Sequence, residues 1–212
     1  MAKLKTLANA GVVNSDGFYV VGGRTAIDFA NSASRLGVEG EGLASLDDLM
    51  QFLKSLGHLH EDEASAYHMY LFQNPDRCQQ VMDRLHDVRG RFRDCLKQAV
   101  DGWPIDVGFM TSLNEMLSGF HTRLELLPAE GGYEVKTLLV EDGPEQLIYP
   151  ILKDVAEFLA SDQMEKVRQC AADDCELFFV NQSRNGRRRW CSMSTCGNRA
   201  KVNAYLKRKE NE

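Results

Sequence analysis

Four cysteines towards the C-terminal end are the residues whose type and spacing could do chemistry. Cys170 and Cys175 enclose four residues, Cys191 and Cys196 enclose another four, and fifteen residues separate the pairs. Two short thiolate loops suit Zn²⁺, which takes four soft ligands in a tetrahedron and then has no open coordination position. The expected centre is structural, with one ion per chain. All five histidines (His58, His60, His68, His86, His121) precede residue 122, so none competes locally. Two disulfides, or buried thiols packing as small apolar groups, are the other readings of this spacing. A disulfide framework needs an oxidising compartment, and the opening MAKLKTLANAGVV has no apolar run of signal-peptide length.

Elements on either side must bring the two pairs together. From Leu177 the chain runs LFFVNQSRNGRRRWC, and Asn185-Gly186 between two runs predicts a two-residue type I′ hairpin, in which both central residues take positive φ. Such a hairpin folds the second pair back onto the first. After Cys196 a helix is expected, with Val202, Tyr205 and Leu206 on one face and Arg199, Lys201, Lys207, Arg208 and Lys209 around the rest.

Residues 165–212 hold eleven Lys or Arg against six Asp or Glu, a balance of +5, or +3 once four thiolates and one zinc ion are included. The whole chain is at −6, so its front part is at −11. Arg184, Arg187, Arg188 and Arg189 around a hairpin tip, with Arg199, Lys201, Lys207 and Arg208 of the basic helix, form a candidate phosphate-binding surface, since each neutralised phosphate releases counterions. Some arginines have another task, because a four-thiolate zinc centre is anionic and needs neutralising hydrogen bonds. Arg199 is the first choice for that role. Asn181, Gln182 and Asn185 have side chains suited to base edges.

The stretch CxxxxC followed by SRNGRRRWCSMSTCGNRAK resembles the CGNR zinc finger, named for the four residues that are Cys196, Gly197, Asn198 and Arg199 here. In that family the finger follows a mostly helical domain called ABATE, whose early motif AIDFANS at Ala26 to Ser32 resembles. The resemblance implies a bacterial transcription regulator that binds DNA through the finger.

The chain has the make-up of a folded domain plus a small module, with 43% hydrophobic residues and no run long enough to span a membrane. A cytoplasmic protein with reduced thiols is expected. Phe18 to Val21 reads as a short strand, and Ala26 to Ala33 as a helix on which Asp28 and Asn31 share a face. These two are the candidate small-molecule pocket, unless Asp28 is a cap or the partner of Arg24 or Arg35. Further helices are expected from Ser45 as N-cap to Gly57, over Asp62 to Phe72, over Asp76 to Val100 and over Asp106 to Leu127. Tyr133 to Val140 is β-prone and is expected to pair with the strand at Phe18. A last helix from Gly143-Pro144, or from Pro150, runs on to the first cysteine. Cys78 and Cys95 are expected to be packing residues, and the histidines lack the spacing of a helical metal motif.

The fold class is thus mainly α: a helical domain with a small β element over residues 1–164, and an α+β zinc module over 165–212. Two functions fit. One is a DNA-binding regulator, with RNA as a possible alternative target, whose front domain senses a ligand or forms a homodimer. The other is a zinc-stabilised interaction module docking on an acidic protein surface. With no nucleophile elbow, phosphate-cradling glycine loop or open metal site, an enzyme is not expected.

Overall fold

A computed structural model describes residues 12–140 and 143–209. Most of the opening run MAKLKTLANAGVV, with no apolar stretch of signal-peptide length, falls outside these residues, as do the acidic Glu210 and Glu212. Among the described residues the elements are α1 (Thr25–Asn31), α2 (Leu46–Ser55), α3 (Glu61–Gln73), α4 (Pro75–Val100), α5 (Val107–Ser118), β1 (Thr122–Ala129), β2 (Gly132–Leu139), α6 (Glu145–Leu159), β3 (Val167–Gln169), β4 (Phe178–Val180) and α7 (Asn198–Lys209). No helix among them is long and apolar enough to cross a membrane.

The short helix α1 sits at the centre. Ala26, Ile27, Phe29 and Ala30 are fully buried, and the helix packs on α4, α6 and β4. Asp154 of α6 holds its start, accepting from the Ala26 amide at 2.7 Å while pairing with Arg24. Gly22 precedes it because a Cβ there would lie 2.4 Å from Ile27 Cγ2. Around α1 the expected patterns hold. Ser45 and Asp48 form a reciprocal capping box, and the stripe Val81, Leu85, Val88, Phe92 and Leu96 of α4 is buried with Cys78 and Cys95.

Four local expectations are corrected. The helix expected over Asp106 to Leu127 ends at Ser118, and Thr122–Ala129 is a strand. Alternation of Leu124 and Leu126 outweighs the helical spacing there. Tyr133 to Val140 does not pair with Phe18; β2 pairs antiparallel with β1, joined by Glu130-Gly131, where Gly131 has φ +86°. A two-residue turn closes at far lower entropic cost than a loop reaching back to residue 18. Phe18 instead bridges Arg35 and stands edge-on to Phe52, with ring centroids 5.2 Å apart. The last long helix stops at Leu159, and a 3₁₀ turn (Met164–Lys166) and β3 lead to Cys170.

The fourth correction concerns the C-terminal module. Its antiparallel pair is β3 with β4, which places the first cysteine pair in the connecting loop. Asn185-Gly186 is not a type I′ turn, because no residue other than glycine has positive φ among those described. The physical reason is burial. Phe178 and Val180 point into the main core and Phe179 into a second core with Leu177 and three of the cysteines, so this strand is covered on both faces. A strand continuing through Arg187 and Arg189, both exposed, could not follow it inside.

Candidate metal centre

The loop between β3 and β4 supplies Cys170 and Cys175, and the chain returns to it through residues 181–190. Asn181 shapes that return: its Nδ2 donates to the carbonyls of Gly186 and Arg188, and its Oδ1 accepts from Ser183. Asn181 is thereby committed to the loop and not to a base edge, whereas Gln182 and Asn185 are exposed. The Ala171 amide then donates to the Arg189 carbonyl at 2.9 Å, which seats Cys191 beside Cys170. A π-helical turn over Met193–Gly197 presents Cys196.

The four sulfurs lie within 4.8 Å of one another, and all four cysteines are free of disulfides. Among the described residues they are the group of metal-ligating side chains placed to hold an ion. Cys175 and Cys191 sulfurs are 3.8 Å apart and those of Cys191 and Cys196 3.5 Å apart. A tetrahedron with Zn–S of about 2.3 Å has S···S edges of about 3.8 Å, so the donor set fits. No disulfide pairing or simple packing accounts for four thiols converging in this way. Hydrogen bonding with Cys175 and Cys191 pulls the Cys170 thiol down to about 2, and the same contacts push Cys175 up to about 12 and Cys191 higher still. Protons shared among these sulfurs are what a divalent cation displaces.

Second contacts give each residue of the Cys-Gly-Asn-Arg run a task. Gly197 fits where a Cβ would lie 2.7 Å from Met193 Sδ and 3.1 Å from the Trp190 ring. Asn198 Nδ2 donates to the Ser194 carbonyl at 3.3 Å, and Arg199 donates to the Cys196 sulfur at 3.3 Å while pairing with Asp174 at 2.9 Å. Arg199 thus sits where a thiolate-neutralising arginine was expected. The cysteine-bearing segments and the front domain share one structure: Tyr19 and Val21 pack on the cysteine cluster, and Asn31 bonds the backbone of Phe178.

One model, described as the CGNR zinc finger, matches residues 166–209, and another, for the ABATE domain, described as "putative stress-induced transcription regulator", matches residues 23–162. The chain belongs to the ABATE family. In it, an ABATE domain precedes a C-terminal CGNR zinc finger whose four cysteines form a metal-binding site. No curated protein matches the chain.

Within this ABATE protein the basic residues divide. Arg184, Arg187 and Arg189 are exposed on the loop, and Arg189 lies over the Trp190 ring. Arg188 turns inward. Its guanidinium lies 4.1 Å over Phe179 and donates to the carbonyls of Trp190 and Cys191, and burial pulls its pKa down against the opposing pull of Cys191 and Cys170. Arg188 therefore supports the finger instead of facing solvent with its neighbours. Helix α7 has no buried residue, so Lys201, Lys207 and Arg208 stand on an exposed surface with Val202, Tyr205 and Leu206 half exposed beside them.

Asp28 and Asn31 bond different backbone groups, Gly22 and Phe178. Asp28 accepts from the Gly22 amide at 2.7 Å, and burial pushes its carboxyl up to about 7. Its expected arginine partners are engaged elsewhere, Arg24 with Asp154 and Arg35 with Asp48. A cleft of about 890 Å³ opens onto the metal centre, with Cys175, Cys191 and Cys196 in its wall beside Tyr19, Asn31 and Arg93. Asn31 and the cysteines of its wall are candidates already in the sequence, but the cleft forms only where residues 12–36 meet residues 173–199.

Proposed function

We propose that this protein is a DNA-binding transcription regulator whose finger holds one Zn²⁺ and engages phosphates through the loop at 184–189 and helix α7. The carrying observation is exposed cationic charge on both the loop and the helix. Arg184, Arg187 and Arg189 point to solvent, and α7 carries Arg199, Lys201, Lys207, Arg208 and Lys209 with no acidic residue. Arg188 and Arg199 bond the cysteine-bearing segments, whereas Arg184, Arg187 and Lys201 are exposed outside the metal site. The cleft against the finger is where a ligand of the front domain would alter that surface.

Salt dependence of binding to a random pool of duplex DNA tests this, using the full zinc-loaded chain. About four engaged phosphates correspond to a slope of about −3.6 in log affinity against log salt. Affinity indifferent to salt would remove the reading. A second reading draws on the half-exposed Val202, Tyr205 and Leu206 beside Met193, which suit a groove on an acidic protein better than a phosphate backbone. Absence of DNA binding at low salt favours it.

A further inference from the structure

The hairpin β1–β2 pairs mainly with itself and is anchored at its base, where the Phe120 and Tyr149 rings lie 5.2 Å apart. Strand alternation puts Leu124, Leu126, Tyr133 and Val135 on one face. They are 74, 65, 77 and 64% exposed. The opposite face carries Arg123, Glu125, Glu134 and Lys136. A two-stranded ribbon is marginal in water, and an open apolar face marks a place where a partner belongs.

Charge placement identifies the partner. On β2, Glu134 and Lys136 flank Val135 and pair with each other at 2.9 Å. Laying β2 antiparallel to the same strand of a second copy, with the two-fold axis at Val135, sets each Glu134 opposite the other copy's Lys136. Val135 then meets its own equivalent, and Tyr133 meets Thr137. This register overlaps residues 132–138, because Val135 lies at the middle of the strand. Within the hairpin Lys136 already faces Glu125. The second copy would put a carboxylate on its other side.

Strand β1 has no equivalent. Pro128 removes a donor from it. The register that opposes Arg123 to Glu125 centres on Leu124, which would bring the tip of the second hairpin at Glu130 opposite Ser118 in α5.

We propose that β2 is a self-association edge, joining two copies of this chain through a four-stranded antiparallel sheet. The interface is isologous, and the joined sheet passes the strand number at which an apolar face becomes self-supporting. It also merges the Leu124, Leu126, Tyr133 and Val135 sets of both copies into one surface.

Sedimentation equilibrium of the full zinc-loaded chain across a concentration series tests the proposal, with Lys136→Glu, Glu134→Lys and the double exchange. The wild type should dimerise. Each single variant should weaken the dimer about tenfold or more, because two opposed pairs become like-charged. The double exchange should restore it, since opposite charges again face across the axis. Far-UV circular dichroism checks that the single variants stay folded, and the double exchange answers for any that do not. A monomeric wild type would overturn the proposal. A dimer indifferent to both single changes, or a double exchange that restores nothing, would overturn it as well.

Discussion

Asn31 and Phe178, 147 positions apart, are joined by two hydrogen bonds: the Phe178 amide donates to Asn31 Oδ1 at 2.8 Å, and Asn31 Nδ2 donates to the Phe178 carbonyl at 2.9 Å. A side-chain amide has the donor and acceptor that an unpaired strand residue needs, so α1 acts as the neighbouring strand of β4. Arg93 reinforces the junction by bonding both the Ala30 carbonyl and Glu176.

Replacing Asn31 by Ala should cost about 2–4 kcal/mol, because it strands a buried amide and a buried carbonyl. Chemical denaturation followed by both tryptophan fluorescence and metal release checks this. Loss of metal should coincide with loss of helix, since Phe178 and Val180 belong to the front core. Wild-type stability in the variant would show that the two bonds are dispensable.

The finger segment 165–212 expressed alone should not fold with zinc to the same compact state. Its strand β4 would lose the cover of α1, and Tyr19 and Val21 would be missing from the cysteine cluster. Proton NMR of the zinc-loaded peptide decides the matter: dispersed methyl and amide signals would contradict the expectation.

Asp28 should give stability an unusual pH slope. Its carboxyl is pushed up to about 7 by burial first, against the Gly22 amide, whereas an unfolded chain has it near 4. The folded state therefore holds the proton more tightly between these values, and Asp28 weakens the fold as pH rises through that window, by at most about 4 kcal/mol. Asp28→Asn keeps an acceptor for Gly22 and removes the titration. The stability difference between variant and wild type should grow from pH 4 to pH 7 in urea titrations; a constant difference would exclude a raised Asp28.

Alanine at Arg184, Arg187 and Arg189 together should leave thermal stability nearly unchanged and reduce the salt slope of DNA binding by about 2.7, three phosphates at about 0.9 each. Arg188→Ala should behave in the opposite way. It removes the stack on Phe179 and the donors to Trp190 and Cys191, so the finger should lose metal to a chelator faster. Equal effects of the two variants on stability would erase the division between surface and supporting arginines.

Metal removal should unfold the finger, because such small centres supply about 10–16 kcal/mol of apparent folding free energy. Cys175→Ser should do the same in part, and bound Co²⁺ should lose its thiolate charge-transfer absorption. A chelated protein with an unchanged spectrum and melting profile would count against a structural ion.

The sequence by itself determined the features set by local chemistry. Cysteine spacing marked the four metal ligands, Ser45 and Asp48 announced a capped helix, and apolar periodicity outlined α2, α4 and most of α6. Each depends on residues within a few turns of one another. Where two periods competed, local reading failed: Leu124 and Leu127 fit a helix after Leu117, while Leu124 and Leu126 fit a strand, and the turn at Gly131 settled it. Tertiary structure alone decided the rest. Asn185-Gly186 reads as a hairpin centre, and the burial of Phe178, Phe179 and Val180 on both faces overrules it. Arg187, Arg188 and Arg189 are identical in sequence terms, and only the position of Phe179 turns the middle one inward. Asn31 pairs with Phe178, and Tyr19 covers the cysteines, because packing against a distant segment satisfies buried groups that no neighbour in the chain could reach.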